Sequence, residues 1–401
     1  MRRTGFGVFR IALDYALLAI HDRAPKLLPA KPVARAATRF KRNRLARELW
    51  GKVPFERLSK SDIEAFTQSL LRSRGWHEAS QVIERAKARG LGSITLELNL
   101  AEAMWRLEDS AGLAAARSRA IAMLPNKTQG AISLIENQNQ VIDIPSRLAL
   151  LQQVEGYIED IRAEAASMQM SAETPKAYVY WHSGFTTAPK MVQACVAQAA
   201  KVYGSDLVQL DQTNLEDYLE LGPQLRRVAK LWPAQYADVV RIGLMATRGG
   251  VWLDATIFTT ENSIENLGKY LAGDFFVFNY NGPRIANWFM VADSGSYQAR
   301  LMYAAMNAYW RRNRRLKNYF IFHDMFEVLY HLDTDFRLAF DGSTHLHAGP
   351  FLQLQSKQLF NPFDQAEFDR TLAEAPIQKL TYKPGTKNQG KGTLYHRLID
   401  E

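Results

Sequence analysis

Three charged residues and a glycine pair within one short stretch of the chain have a spacing that could support chemistry. Asp238 and Arg241 lie three residues apart in an apolar pattern typical of a helix, so both side chains should share one helical face. Gly249 and Gly250 then predict a helix end and a tight turn. Asp254 follows Val-Trp-Leu, a short strand-like run, and should lie at the carboxyl end of that strand. In an open α/β sheet, ligands bind at that end.

These residue types suit the diphosphate and the sugar of a nucleotide-linked sugar. A carboxylate at a strand end can hold a divalent metal or a ribose, because hard cations prefer oxygen ligands. An Asp–Arg pair on the preceding helix can hold sugar hydroxyls through charge-assisted hydrogen bonds. An isolated Asp-x-x-Arg is more often a plain ion pair between helical turns. The prediction therefore depends on the whole string from residue 236 to residue 258.

The string resembles the signature of DXD-type glycosyltransferases with a GT-A fold, in particular the capsular polysaccharide synthesis protein family, which is related to the fungal-type mannosyltransferases. The residues that match this signature are Asp238, Arg241, Gly249, Gly250, Trp252 and Asp254. Other segments resemble the family in the same order, namely Tyr-Trp-His-Ser-Gly at 180–184, Ile-Ala-Asn-Trp-Phe-Met at 285–290, Tyr-Phe-Ile-Phe-His-Asp at 319–324 and Lys-Leu-Thr-Tyr-Lys at 379–383. The resemblance covers about residues 175 to 383.

The resemblance implies an enzyme that moves a sugar from a nucleotide-sugar donor to a bacterial capsular polysaccharide. The acceptor would be an oligosaccharide or a lipid-linked glycan, the cofactor Mn²⁺ or Mg²⁺, and the anomeric configuration would be retained. The implied catalytic residues are Asp238, Arg241, Asp254, His323 and Asp324. The implied donor-binding residues are Trp181, His182, Gly249, Gly250, Asn287, Trp288, Lys379 and Lys383, and the implied metal ligands are Asp254 and Thr256.

One departure from the family motif affects the metal prediction. The strict motif is Asp-x-Asp, but the second carboxylate is replaced here by Thr256, whose hydroxyl is a weak metal ligand. Some of the other candidates have plain structural alternatives. Trp181 could be a core residue instead of a platform for a nucleobase, Asn287 could cap a turn, and His323 could be a buried histidine among aromatic residues.

The order of elements predicts an α/β domain of the GT-A type after an all-α region. Strands are expected at 177–181, 207–210, 275–279 and 288–290, with helices at 189–202, 296–310 and 319–330. The chain of 401 residues is long enough for more than one core. Its single cysteine, Cys195, excludes an internal disulfide and lies in an apolar helical run, which favours a buried structural thiol in a reducing compartment.

The N-terminal half has almost no strand pattern. A repeat near 34 residues, the length of a tetratricopeptide helix pair, aligns Phe66 with Leu100 and predicts hairpins over roughly 61–90 and 94–124. A generic helical bundle is the alternative. One further helix is predicted over 148–170. We therefore predict three regions: a basic amphipathic segment at 1–45, a tetratricopeptide-like region at 46–172 and the GT-A-like domain at 173–401.

The net charge of +9 concentrates in two clusters, at 31–47 and 311–317, and no nucleic-acid-binding signature accompanies either cluster. Apolar residues recur at helical spacing near the N-terminus, namely Phe6, Phe9, Leu13, Leu17 and Ile20. This pattern fits a helix lying on an anionic membrane surface and equally fits a helix packed on its own domain. We expect no spanning helix, a cytoplasmic location with peripheral contact at the inner face of the plasma membrane, and no nucleic-acid partner.

Two functions remain from these observations. The first is the glycosyltransferase that the resemblance implies. The second is a non-catalytic helical-repeat adaptor with a degenerate transferase domain, which Thr256 and the helical half would favour. The presence together of Asp238, Arg241 and Asp254 argues for the enzyme.

Overall fold

The computed structural model describes residues 4–25, 27–136, 144–387 and 389–400, with side chains from residue 13 onward. The chain divides into two compact units, Met1–Ala149 and Leu150–Glu401. This division lies inside the region that the sequence assigned to helical repeats, because the helical segment after residue 150 joins the C-terminal unit. The apolar positions Phe6 and Phe9 lie outside the residues whose side chains are described.

Every element described in the N-terminal unit is a helix, which confirms the predicted all-α region. The helices are α1 (Thr4–Arg23), α2 (Ala30–Arg39), α3 (Asn43–Gly51), α4 (Lys60–Arg72), α5 (Trp76–Ala88), α6 (Ile94–Arg106), α7 (Ser110–Ala122) and α8 (Gln129–Glu136), followed by α9 (Ile144–Glu155), which crosses the division. Helices α4 to α7 each have 13 residues and form the two predicted hairpins. A capping box of Ser59 and Asp62 begins the first hairpin, and Ser93 caps the second.

Five cations of the basic cluster at 31–47 form ion pairs inside the N-terminal unit. Lys31 and Arg35 both pair with the buried carboxylate of Asp62, at 2.8 and 2.6 Å. The other pairs of this cluster are Arg39 with Asp14, Arg42 with Asp22 and Arg47 with Glu78. These cations therefore help to hold helices together, but five of them share four carboxylates, so part of the positive charge of the cluster stays uncompensated by these pairs.

Helix α1 buries both polar and apolar side chains and exposes several apolar ones among its described residues. Asp14, Leu18 and His21 are buried, whereas Leu13 and Ile20 are 49% and 40% exposed. The apolar stripe predicted from the sequence therefore faces outward at these two positions. No helix among the described residues is long and apolar enough to span a membrane.

The C-terminal unit combines a mixed sheet with helices, which confirms the α/β class. Its strands are β1 (Ala177–Tyr180), β2 (Leu207–Leu210), β3 (Gly250–Asp254), β4 (Ile257–Thr259), β5 (Phe275–Asn281), β6 (Arg284–Ala292) and β7 (Ile377–Lys379). Its helices are α10 (Ile158–Ser167), α11 (Lys190–Tyr203), α12 (Gln224–Leu231), α13 (Pro233–Thr247), α14 (Leu267–Tyr270), α15 (Tyr297–Arg312), α16 (Ile321–Leu332), α17 (Thr334–Asp341), α18 (Gln365–Glu374) and α19 (Leu394–Asp400).

The larger sheet has the strand order β2-β1-β3-β6-β5, with β1 parallel to both β2 and β3 and with β6 antiparallel to its two neighbours. The chain leaves β1 toward β2 on one side and returns to β3 on the other. A crevice therefore opens between the carboxyl ends of β1 and β3, where Tyr180 is paired in register with Asp254. The smaller sheet pairs β4 with β7 in the antiparallel sense.

Two local predictions differ from the structure. The single helix expected over 148–170 is two helices, because the chain breaks at Gly156 and Tyr157 between α9 and α10. Asn287 does not precede a strand but lies within β6, which begins at Arg284. In the basic cluster at 311–317, Arg311 pairs with Glu164 and Arg312 pairs with Asp160 of α10.

Candidate functional site

The turn between α13 and β3 depends on both glycines. Gly249 and Gly250 have φ of +66° and +86°, a region that side chains with a Cβ rarely adopt. A Cβ on Gly249 would lie 2.6 Å from the backbone nitrogen of Ser294, and one on Gly250 would lie 2.2 Å from the carbonyl oxygen of Lys176. The glycines therefore let the helix return directly into the sheet, so that α13 and β3 carry their charged residues to one place.

Asp238 and Arg241 share the buried face of α13, as predicted. Arg241 Nη1 lies 3.5 Å from Asp238 Oδ1. Asn287 on β6 connects the pair to the sheet. Its side-chain nitrogen donates to Asp238 Oδ1 at 2.9 Å, and its backbone carbonyl accepts from Arg241 Nη1 at 2.7 Å. The Nε of Arg241 has no acceptor among the described residues. The guanidinium is thus held in position while its Nε–H can still donate a hydrogen bond.

Asp254 is the centre of the cluster. Its Oδ1 forms an ion pair with Arg241 Nη2 at 3.0 Å and accepts a hydrogen bond from the Trp252 indole nitrogen, also at 3.0 Å. Its Oδ2 accepts from Lys379 Nζ at 2.8 Å, and the same ammonium donates to Thr256 Oγ1 at 2.7 Å. Trp252 reaches Asp254 because residues two apart on a strand project to the same side. Side chains from helix α13 and from strands β3 and β7 therefore meet at one carboxylate.

The two carboxylates of the cluster differ in proton affinity. Burial raises the pKa of Asp238 to about 6, although the neighbouring Arg241 opposes this effect. Burial acts in the same direction on Asp254, but Arg241 and Lys379 together outweigh it and lower the pKa of Asp254 below its ordinary value. Asp254 is therefore firmly anionic at neutral pH, whereas Asp238 titrates close to the physiological range.

A cleft of about 380 Å³ opens beside this cluster. Its wall is formed by four separate segments of the chain. They are Tyr180, Trp181, His182 and Ser183 at the end of β1; Pro233, Ala234, Ala237 and Arg241 on α13; Trp252, Asp254, Ala255 and Thr256 at the end of β3; and Lys379, Tyr382 and Lys383 at the end of β7. Trp181 and Tyr382 meet edge to face at 5.2 Å. Burial raises the pKa of Tyr180 well above its usual value, and its hydroxyl lies 2.7 Å from His182 Nδ1. The cleft thus has one aromatic side and one charged side.

A family model described as capsular polysaccharide synthesis protein matches residues 132–398. The chain belongs to the capsular polysaccharide synthesis protein family. No curated protein and no solved structure matches the chain significantly. Family membership indicates a role in capsule biosynthesis and is consistent with a biosynthetic transferase.

The structure brings many of the residues predicted for a capsule-synthesis transferase into one site. Seven of these residues line the cleft, namely Trp181, His182, Arg241, Asp254, Thr256, Lys379 and Lys383. Asp238 and Asn287 lie directly behind it and contact Arg241. Gly249 and Gly250 shape the turn and do not line the cleft.

Three predicted site residues lie elsewhere in the C-terminal unit. Trp288 is buried in the core, with its ring stacked 4.8 Å from that of Phe278. His323 and Asp324 lie on α16, where the imidazole contacts the rings of Phe320 and Phe322 and the carboxylate accepts a hydrogen bond from Asn318. None of the three lines the cleft. Their predicted roles remain untested predictions.

Several residues of the cleft wall are not among the residues predicted for the site. Trp252 was counted only as part of the motif, although its position two residues before Asp254 on a strand indicates a shared side. Tyr180, Pro233, Ala237 and Tyr382 form much of the apolar wall. Tyr180, Ala237 and Tyr382 lie within the family-like segments at 180–184, 236–258 and 379–383, and this likeness was the available signal. Pro233 lies outside these segments.

The residues around Asp254 do not fit the divalent metal that the family resemblance implies. Mg²⁺ and Mn²⁺ prefer several oxygen ligands, and carboxylates above all. Here one carboxylate and the Thr256 hydroxyl face each other, and the Lys379 ammonium lies between them. Among the described residues, no three or more His, Cys, Asp or Glu side chains are grouped so that they could hold a metal ion.

Proposed function

We propose that this protein is a glycosyltransferase that moves a hexose from a nucleotide-sugar donor to an oligosaccharide or lipid-linked acceptor in capsule biosynthesis. The observation that carries the proposal is the chain of contacts Arg241–Asp254–Lys379 at the carboxyl end of a parallel strand, beside an aromatic wall. The topology of the sheet, with parallel strands before antiparallel ones, supports a GT-A-like arrangement.

The two sides of the cleft match the two halves of a nucleotide-sugar. Trp181 and Tyr382 offer aromatic surface on which a nucleobase could stack, and base–aromatic stacking contributes about 1–3 kcal/mol per base. Lys379, Lys383 and Arg241 offer cationic donors for the diphosphate and the sugar hydroxyls. The single neighbouring carboxylate in the cleft wall, Asp254, is already paired with two of these cations, so it does not repel the diphosphate.

In the proposed reaction, the bond between the anomeric carbon and the β-phosphate oxygen breaks, and its electron pair passes to that oxygen. The acceptor hydroxyl oxygen forms the new bond to the same carbon, and its proton passes to the departing nucleoside diphosphate. Retention of configuration is part of the proposal. The cationic groups of Lys379 and Arg241 would stabilise the negative charge that develops on the leaving phosphate, which is the largest single contribution in many such reactions.

Peripheral contact with the inner face of the plasma membrane is also part of the proposal. Two apolar side chains of α1, Leu13 and Ile20, are exposed, as a helix lying on a membrane surface requires. The tetratricopeptide-like hairpins would then dock on a partner or on the growing acceptor.

Release of the nucleoside diphosphate tests the proposed activity. Purified protein is incubated with UDP-, GDP-, ADP- and CDP-sugars, and the free diphosphate is measured with and without a capsular oligosaccharide. We expect slow donor hydrolysis that becomes faster when the acceptor is added. Release at the rate of a buffer blank for every donor would contradict the proposal.

The second candidate is a non-catalytic adaptor whose degenerate transferase domain binds a nucleotide-sugar or a glycan. Thr256 in place of a carboxylate favours it, because one oxygen ligand of the motif is weakened. This candidate predicts a thermal shift with nucleotide-sugars but no turnover. The same two measurements therefore separate the enzyme from the adaptor.

A further inference from the structure

The ammonium group of Lys379 lies where the family motif would place a metal ion. It is 2.8 Å from Asp254 Oδ2 and 2.7 Å from Thr256 Oγ1, the first and third residues of the motif. An ammonium has three N–H donors, and these two contacts use two of them. One donor therefore remains for an oxygen of a bound ligand.

Lys379 is held there by a strand and does not sit on an exposed loop. In the β4–β7 pair its Cα lies opposite that of Ile257, and the next backbone amide, of Leu380, donates to the Thr256 carbonyl at 2.9 Å. The preceding residue, Gln378, is fully buried, and its side chain accepts from the amide of Leu354 and donates to the Pro350 carbonyl, both at 3.1 Å. The lysine is thus anchored on both sides.

The remaining ligand positions around Asp254 are already used. Its other oxygen, Oδ1, forms an ion pair with Arg241 and accepts a hydrogen bond from the Trp252 indole, both at 3.0 Å. Asp238, the other carboxylate of the cluster, accepts a hydrogen bond from Asn287 and forms an ion pair with Arg241. A divalent cation would have to displace Lys379 and then stand beside two positive side chains with one carboxylate and one hydroxyl as ligands.

We infer that the ammonium group of Lys379 replaces the divalent cation, so that nucleotide binding and sugar transfer in this protein do not require a metal. The inference rests on the proposed function. When the bond from the anomeric carbon to the β-phosphate oxygen breaks, the negative charge on that oxygen is stabilised by the free N–H of Lys379. Asp254 and Thr256 orient the ammonium and lower the cost of its burial.

Nucleoside diphosphate binding is the first test. Metal-stripped protein is titrated calorimetrically with UDP, GDP, ADP and CDP in EDTA, and again with Mn²⁺. We expect at least one diphosphate to bind with the same Kd, within about twofold, in both conditions. Lys379→Met, which keeps the apolar stem, should weaken that binding in EDTA by about 10- to 100-fold, the range for one hydrogen bond to a charged group.

Direct metal uptake is the second test and needs no activity. The electron paramagnetic resonance signal of free Mn²⁺ is recorded with wild-type protein and with Lys379→Met. We expect the wild type to leave the signal unchanged without nucleotide. Uptake of one Mn²⁺ per wild-type chain would overturn the inference, as would diphosphate binding that disappears in EDTA.

Lys383→Ala is the matched control for the loss of one cation from the cleft. Lys383 is exposed, and its ammonium lies 5.0 Å from the Tyr382 ring. This variant should weaken binding less than Lys379→Met does.

Thermal melting of Lys379→Met shows whether it is folded, and Lys379→Arg, which keeps a cation, should recover part of the affinity. Undiminished binding by a folded Lys379→Met overturns the inference, whereas no diphosphate binding by the wild type with or without Mn²⁺ overturns the proposed function as well.

Discussion

The Nζ atom of Lys379 lies 2.8 Å from Oδ2 of Asp254, although 125 positions of the chain separate the two residues. Asp254 ends a strand of the main sheet, and Lys379 ends a strand of the small two-stranded sheet. The contact therefore joins two sheets of the C-terminal unit at the floor of the cleft. The effects of substitution follow from this arrangement.

Asp254→Asn should reduce donor turnover by about 100-fold or more, because it removes the charge that orients both Arg241 and Lys379. The amide keeps the size of the side chain, so the protein should remain folded. Diphosphate release and a thermal melt, measured on the same preparation, check this. A folded variant with normal turnover would remove Asp254 from the site.

Arg241→Lys should be nearly as damaging as Arg241→Ala. The guanidinium uses two different nitrogens: Nη1 donates to the Asn287 backbone carbonyl at 2.7 Å, and Nη2 forms an ion pair with Asp254 at 3.0 Å. A single ammonium cannot reproduce that fork. We expect kcat/KM for the donor to fall by about 10- to 100-fold in both variants, as for a charged hydrogen bond. Wild-type kinetics in Arg241→Lys would make the helix pair purely structural.

The pH dependence should reveal Asp238. Burial raises its pKa to about 6, so below that pH the carboxyl takes up a proton and loses the charge that faces Arg241. Donor turnover of the wild type should therefore fall as the pH drops through about 6. Asp238→Asn should lack this step in its pH profile and have lower turnover at neutral pH.

The same shift predicts an opposite trend in stability. A carboxyl whose pKa is raised on folding stabilises the protein below its unfolded pKa and loses that contribution as the pH rises through about 6. The melting temperature of the wild type relative to Asp238→Asn should thus decrease between pH 4 and pH 7. A constant difference across this range would show that Asp238 has an ordinary pKa.

Gly250→Ala should destabilise the C-terminal unit by about 2–4 kcal/mol, since a Cβ would lie 2.2 Å from the Lys176 carbonyl oxygen at a φ of +86°. Gly268→Ala is the matched control, because it lies in α14 with no atom within 4 Å of the added Cβ. That substitution should be neutral or stabilise by up to about 1 kcal/mol. Denaturant unfolding measures both, and equal effects would contradict the role assigned to the turn.

The double substitution Leu13→Gln and Ile20→Gln should weaken binding to phosphatidylglycerol vesicles by about tenfold or more, because each side chain contributes about 1.5–3 kcal/mol when buried in the interface. Deleting residues 1–45 is a poorer test, since it removes α2 and its buried residues. Leu107→Gln, which changes a residue of similar exposure outside α1, is the control. Equal co-sedimentation of all three proteins would assign α1 to packing alone.

The centre of the site was predictable from sequence because its information is local. Asp238 and Arg241 share a helical face through a spacing of three, and the glycine pair and Asp254 follow within the same string. Helix–turn–strand geometry then brings these residues together with little help from the rest of the fold. The confirmed α/β class and all-α region follow in the same way from hydrophobic period.

The remainder depended on pairing between distant segments. Both C-terminal lysines were predicted to bind the donor, but only the register of β7 against β4 shows that Lys379 contacts Asp254. In the same way, the carboxylates that pair with the basic clusters lie on other helices, as Asp62 does for Arg35. No local sequence pattern predicts these ion pairs. Single-sequence patterns contain no information on such registers.

The four-part wall of the cleft has a consequence for synthesis of the chain. The segments after β1, on α13 and after β3 are made first, and a nascent chain that has just completed Asp254 lacks the lysine that faces it until 125 more residues have been added. Domains fold as they emerge, in order from the N-terminus. The helical unit and Trp181 are thus made well before the charged floor and Tyr382, and under the proposed function no sugar-transferring form exists on the ribosome until β7 has joined β4.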